Sequence, residues 1–199
     1  MKLIGVYDYT VILTYISLFS AVFGMIQAIH GRFTMAVVCL FFSGFCDAFD
    51  GIVARSKKDR TEDEKGFGIQ LDSLCDVIAF GVFPAFLCYF MGVDGTLGLL
   101  VAFFFCLCAV IRLAFFNVLE ARRQQMEGGC NKFYRGLPVT SISVIFPVVY
   151  CLKFVLPDGA FEGVLHGLLL VVGFLFVLDF QVPKPNWMKL LVRMGLRKG

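Results

Sequence analysis

Charge is scarce in this sequence. Asp, Glu, Lys and Arg make up 17% of the 199 residues, against about 25% in an average soluble domain, which excludes a soluble domain with an ordinary charged surface. No polar linker or shift in composition divides the chain, so residues 1–199 read as one domain. No small-residue cleavage site follows the first apolar run, and that run is too long for the h-region of a signal peptide. It is therefore expected to remain as a membrane span. Internal repeats and low-complexity segments are absent. The eight cysteines include no pair at the spacing of a metal knuckle or a redox motif, and most are expected to be small reduced side chains within spans. The two histidines, His30 and His166, read as interfacial rather than catalytic.

What the chain has in excess is apolar. Hydrophobic residues are 59% and phenylalanine alone accounts for 24 positions; the mean hydropathy is +0.83. Apolar runs recur along nearly the whole length, each close to the roughly 20 residues that cross a bilayer. Backbone polar groups without partners are intolerable in lipid, so the runs must be helices. The expected fold is all-α and polytopic, with six transmembrane helices at Tyr9–Ile29, Phe33–Val53, Ile69–Met91, Leu97–Leu119, Pro138–Leu156 and Val164–Phe180. Short breaks separate three pairs of spans, and longer polar loops around 54–67 and 120–136 join the others. The segment 183–199, with "NWMKLLVRMGLRK", is expected to form an amphipathic helix lying in the interface.

The basic residues orient this plan. With six spans, fifteen of the 18 Lys and Arg residues fall on the side that holds both termini and both long loops. Arg32 and Lys153 fall on the other side, and Arg112 lies inside the fourth span. That bias predicts cytoplasmic termini. The net charge of +3 then means a basic face toward anionic headgroups, not nucleic-acid binding, and the expected setting is the cell membrane. The mixed-sign run "KKDRTEDEK" reads as solvated surface.

Against this background four aspartates stand out. Asp47 and Asp50 are three apart near the cytoplasmic end of the second span, and Asp72 and Asp76 are four apart near the start of the third. Those steps put each pair on one helix face, and adjacent antiparallel helices can bring all four to similar depth. Intramembrane carboxylates are costly and usually functional. Packed together they repel, so some must carry protons or a cation must neutralise them. Arg112 alone cannot balance four. Asp-rich oxygen sites suit Mg²⁺ or Mn²⁺. Gly51 and Gly68 leave room for a bulky ligand beside the backbone, while Arg55, Arg112 and Arg135 can reach toward the same region. Metal plus arginine is a clamp for phosphate oxygens. A two-metal site of this kind suggests displacement at phosphorus on a lipid-linked substrate.

Asp47, Asp50, Gly51, Ala54 and Arg55, followed by Gly68, Asp72 and Asp76, resemble the D-x2-D-G-x2-A-R … G-x3-D-x3-D signature of the CDP-alcohol phosphatidyltransferases. The gap, "SKKDRTEDEKGF", is twelve residues where the family usually has eight. "QLDSLCDVIAFGVFPA", "RLAFFNV" and "YRGLP" are similar to the phosphatidylserine synthase branch. Phe115 departs from an Arg common there, and "VILT" departs from N-L-L-T.

The resemblance implies a homodimer that uses CDP-diacylglycerol and L-serine among membrane lipids, with two Mg²⁺ or Mn²⁺ ions. It implies Asp47, Asp50, Asp72 and Asp76 as metal ligands and Asp76 also as catalytic base. Gly51, Ala54, Arg55 and Gly68 would receive CDP-diacylglycerol. Arg112, Asn117 and Arg135 would be candidates for the serine pocket. Another polar acceptor, glycerol 3-phosphate or inositol phosphate, would keep the same chemistry. An ion transporter with intramembrane carboxylates would be expected to show inverted repeats and broken helices. A membrane prenyltransferase would place its acidic motifs in two separated repeats of a longer bundle.

Overall fold

The computed structural model describes residue 5 and residues 9–56, 61–125 and 133–183. The expected interfacial helix beyond residue 183 lies outside the described residues. Helix α1 is Ile12–Ile29, entered by a 3₁₀ turn at Tyr9–Val11, and α2 is Phe33–Ser56. Helix α3, Glu62–Asp76, runs through a π-helical segment, Val77–Val82, into α4, Phe83–Phe90. The long α5 is Gly95–Gln125. Helix α6, Ile142–Tyr150, has 3₁₀ turns on both sides (Val139–Ser141 and Cys151–Phe154), and α7 is Asp158–Val177. One departure from the all-α expectation is a short antiparallel pair, β1 Phe133–Arg135 with β2 Gln181–Pro183, in register Tyr134 opposite Val182.

Among the described residues, five helical stretches are long and apolar enough to cross a membrane: Ile12–Ile29, Phe33–Gly51, Glu62–Phe90, Gly95–Arg122 and Asp158–Val177. The chain is a polytopic membrane protein. The fifth expected span exists as the shorter apolar helix Val139–Phe154. Pro147 sits inside it, where it removes one N–H from the α ladder, and both ends have 3₁₀ geometry.

Most of the expected loop around 54–67 is helix instead, 54–56 in α2 and 62–67 in α3. Thr61 caps α3: its hydroxyl accepts from the Glu64 N–H while Glu64 Oε2 accepts from the Thr61 N–H, at 3.2 and 2.9 Å. This reciprocal capping box, followed by three acidic residues in the first turn, starts the helix seven residues before the apolar run begins. The polar sequence looks like a loop because hydropathy does not register caps.

Small residues bring the helices together. Ser17 and Ser43 exchange hydroxyl-to-carbonyl bonds at 3.2 and 3.0 Å, and Ser20 donates to the Cys39 carbonyl at 3.0 Å, so α1 and α2 are stitched along their length. At Gly24 a side chain would collide with the Phe83 ring and Cys39; only glycine lets α1 approach α4 this closely. Phe80, Phe83, Phe105, Phe146 and Phe176 are fully buried between the helices, whereas phenylalanines such as Phe19, Phe103 and Phe174 face outward, as suits lipid. Positive-φ glycines, Gly31, Gly92 and Gly95, occupy the tight turns at one end of the bundle.

The π segment has a local cause. Pro84 cannot donate to a carbonyl four residues back, and its ring crowds that carbonyl. The chain widens instead: the Phe83 N–H reaches back five residues to the Ile78 carbonyl. Gly81 makes the widened turn compact, since a side chain there would press on Ala109 of α5 at 3.1 Å. The wide turn begins immediately after Asp76, where such irregularities often accompany function.

Candidate functional site

The carboxylates gather between the C-terminal part of α2 and the last turns of α3. One oxygen each from Asp47, Asp50 and Asp72 lie within 4.8 Å of one another, and all three residues are half-buried. Asp76 is one turn deeper, with 8% of its surface exposed. Its carboxyl group is within hydrogen-bonding reach of Asp47, and that of Asp72 is within reach of Asp50. Carboxyl pairs at this range require a shared proton or an intervening cation.

The donor set fits a hard divalent cation. It consists of oxygen alone, and the three converging oxygens come from two helices. Asp72 Oδ1 is buried without a hydrogen-bond partner among the described residues, an orphaned acceptor of the kind a cation would satisfy. Arg112 does not play that part. It is buried, donates from Nε to the Leu137 carbonyl at 3.3 Å, stands 6.0 Å from the Phe116 ring centroid, and forms no ion pair among the described residues.

Thr14 of α1, to which the sequence pattern assigns no role, donates from Oγ1 to Asp50 Oδ2 at 3.3 Å. A signal is present: it is the final residue of "VILT", and a lone threonine in an apolar run can satisfy a neighbouring helix. Gly51 follows Asp50 on α2, and Gly68 lies one turn before Asp72 on α3. Ala54 and Arg55 belong to the last turns of α2 and Arg135 to β1, but their side chains lie outside the described residues.

The three segments resembling the serine branch meet at this end. Ser73 of "DSL" donates to Asn117 Oδ1 at 2.8 Å, and Asn117 Nδ2 donates to Gln70 Oε1 at 3.5 Å. Arg112, five residues before Asn117, holds the Leu137 carbonyl of "GLP". Gly136 has φ +70°, and its N–H donates to the Phe180 carbonyl at 2.7 Å. A side chain there would press on the Leu178 and Phe176 carbonyls and on Arg112 Nε, at 3.1, 3.2 and 3.5 Å. Glycine is therefore required twice over, by conformation and by space. Neither Ser73 nor Gln70 stands out as a site residue in the sequence.

The chain is similar to several known proteins. The family model for CDP-alcohol phosphatidyltransferase matches residues 9–178. A CDP-diacylglycerol–serine O-phosphatidyltransferase of Methanocaldococcus jannaschii is 30% identical over 186 residues, covering 93% of this chain and 77% of that protein. One of the same name from Helicobacter pylori is 31% identical over 180 residues, 86% of this chain and 71% of the relative. An archaetidylserine synthase of Methanothermobacter thermautotrophicus is 35% identical over 136 residues, 68% of this chain and 54% of the relative.

Proposed function

This chain belongs to the CDP-alcohol phosphatidyltransferase family, and we propose that it transfers the phosphatidyl group of CDP-diacylglycerol to the hydroxyl of L-serine, giving phosphatidylserine and CMP. The observation that supports the choice of serine is a pair of contacts, Ser73 with Asn117 and Arg112 with the Leu137 carbonyl, that link the helix of Asp72 to α5 and α5 to the segment before α6. These residues come from the three segments that resemble the serine branch, and the named relatives act on serine or make archaetidylserine.

In this reading Asp47, Asp50, Asp72 and Asp76 hold two Mg²⁺ or Mn²⁺ ions, which when bound offset negative charge on the phosphate oxygens and orient the pyrophosphate. The chain's own residues do the rest. Gly51, Ala54 and Gly68 leave room for the cytidine, and Arg55 assists at the phosphates. Asp76 takes the proton of the serine hydroxyl as its oxygen bonds to the phosphorus that bears diacylglycerol. The bond from that phosphorus to the CMP oxygen breaks, and CMP leaves with the electron pair. Asn117, Arg112 and Arg135 receive the amino-acid part of serine, whose carboxylate calls for cationic and hydrogen-bonding partners. The active site faces the cytoplasm, a placement supported by the bias of basic residues, and six helices span the cell membrane; the working assembly is a homodimer, as the family resemblance implies.

The deciding assay uses the purified full-length chain with CDP-diacylglycerol, Mn²⁺ or Mg²⁺, and a panel of serine, glycerol 3-phosphate and inositol phosphate. CMP release with serine alone is the expected result. Strong turnover with either phosphorylated alcohol would assign the chain to another branch of the family.

A further inference from the structure

At the other end of the bundle an open cavity of about 580 Å³ lies between the start of α2 and the end of α6, lined by residues that include Arg32, Phe33, Thr34, Tyr150, Lys153 and Phe154. Asp47 is fourteen residues along α2 from Phe33, about 21 Å at 1.5 Å per residue, so this cavity is separate from the carboxylate cluster. Arg32 and Lys153 are the two basic residues that the charge pattern leaves off the cytoplasmic side, and the fold brings both to one hollow. We propose that it binds the phosphate of an anionic phospholipid in the leaflet opposite the active site.

The argument is one of charge and surroundings. Lys153 is half-buried, with Nζ 4.8 Å from the Phe33 ring centroid and 5.9 Å from that of Tyr150, so its ammonium is held in place over two aromatic faces. Among the described residues the Arg32 guanidinium makes one hydrogen bond, from Nη1 to Gln27 Oε1 at 3.4 Å, which leaves most of its five N–H donors available. Neither cation forms an ion pair among the described residues, and no carboxylate lines the cavity; Asp94, Asp158 and Glu162, the acids of this end, stand outside its wall. Thr34 and Tyr150 share a hydrogen bond of 3.0 Å between their hydroxyls, which ties α2 to α6 beneath the cations.

The apolar rim selects a lipid over a free anion. Phe154 is 76% exposed and Val155 81% exposed, and Met35, Val38 and Leu152 continue an outward apolar surface along α2 and α6. A phosphodiester in the hollow would have its acyl chains against that surface.

The test places a reporter at the site. The full-length chain carrying Phe154→Trp, with Trp187→Phe to remove its single native tryptophan, is reconstituted in vesicles containing either brominated phosphatidylglycerol or brominated phosphatidylcholine. At equal mole fraction, quenching by the anionic lipid should show a local preference of roughly fivefold per basic residue. Arg32→Gln with Lys153→Gln should abolish that preference while CMP release is kept, and Lys153→Arg alone should retain it. Should the double variant fail to fold, as judged by CMP release, Lys153→Gln alone should reduce the preference. Excess inorganic phosphate, compared with sodium chloride at matched ionic strength, should leave the preference unchanged. Equal quenching by the two lipids in the reporter chain would overturn the proposal, as would a preference untouched by the glutamine substitutions. Displacement by free phosphate would equally overturn a lipid site.

Discussion

The Ser73 hydroxyl donates to the side-chain carbonyl of Asn117 at 2.8 Å, across 44 residues of sequence. The bond ties the helix that carries Asp72 and Asp76 to the helix that carries Arg112. It also fixes which way the Asn117 amide points: Oδ1 is engaged by Ser73, so Nδ2 is turned toward Gln70 Oε1, 3.5 Å away. Separately, Arg112 of the same helix donates to the backbone carbonyl of Leu137. Two separate sets of hydrogen bonds, Gln70–Asn117–Ser73 and Arg112–Leu137, therefore hold the side chains of the proposed serine ligands Asn117 and Arg112.

Ser73→Ala should raise the KM for serine roughly 5- to 10-fold, as expected for loss of one hydrogen bond worth about 1 kcal/mol, with kcat and the KM for CDP-diacylglycerol nearly unchanged. Ser73→Thr, which keeps the hydroxyl, should recover most of the loss. Initial rates with each substrate varied in turn provide the check. Equal losses for both substrates would mean that Ser73 only supports helix α3.

Thr14→Val should weaken the apparent affinity for Mn²⁺ by roughly 10-fold, the lower end of what outer-shell partners of metal ligands contribute. The reason is the bond from Thr14 to Asp50 Oδ2, which orients a carboxylate expected to hold metal. Thr14→Ser should restore the affinity. Metal titration of the initial rate measures the effect, and an unchanged midpoint would remove Thr14 from the site.

The aspartates are legible in the sequence because a carboxylate in an apolar run is costly and is seldom kept without a function. Three- and four-residue spacing places them on faces without any knowledge of the fold, and their convergence follows from two adjacent antiparallel helices. Thr14, Gln70 and Ser73 are not legible as site residues, since short hydroxyl and amide side chains in membrane helices serve equally as local helix partners. Only tertiary neighbours distinguish Thr14, which reaches Asp50, from Ser20, which reaches the Cys39 carbonyl. The start of α3 is hidden for a related reason. Its first turn is stabilised by a capping box and acidic residues, features that a hydropathy profile reads as loop. The helix at Val139–Phe154 contains Pro147 and begins and ends in 3₁₀ turns, irregularities that the apolar composition conceals.

Topology has its own test. Cysteine at Lys57 or at Lys132, in a background with Cys130 and Cys151 replaced by serine, should react with a membrane-impermeant thiol reagent only from the cytoplasmic side. The expectation rests on the fifteen basic residues that a six-span plan collects on one face. Labelling of either position from outside in intact cells would reverse the orientation and with it the side from which serine enters.

Asp76 is the position at which ligand and base roles can be separated. It is the most buried of the four carboxylates, one turn beyond Asp72 and in reach of Asp47, while the three oxygens that converge within 4.8 Å come from Asp47, Asp50 and Asp72. A serine hydroxyl is a poor nucleophile at neutral pH, and a positioned general base contributes roughly 10²–10⁴-fold. Asp76→Asn should therefore lower turnover by about that factor and largely keep metal-dependent binding of CDP-diacylglycerol, because the three-oxygen cluster is intact. Asp50→Asn and Asp72→Asn remove members of that cluster and should weaken metal and nucleotide-lipid binding together with the rate. The measurement is paired for each variant: binding of CDP-diacylglycerol with and without Mn²⁺, and the initial rate at saturating serine. Near-normal turnover in Asp76→Asn would assign the proton to another acceptor. Loss of binding in proportion to rate would make Asp76 a ligand first, since a base that is not a ligand leaves the ground-state complex unaltered.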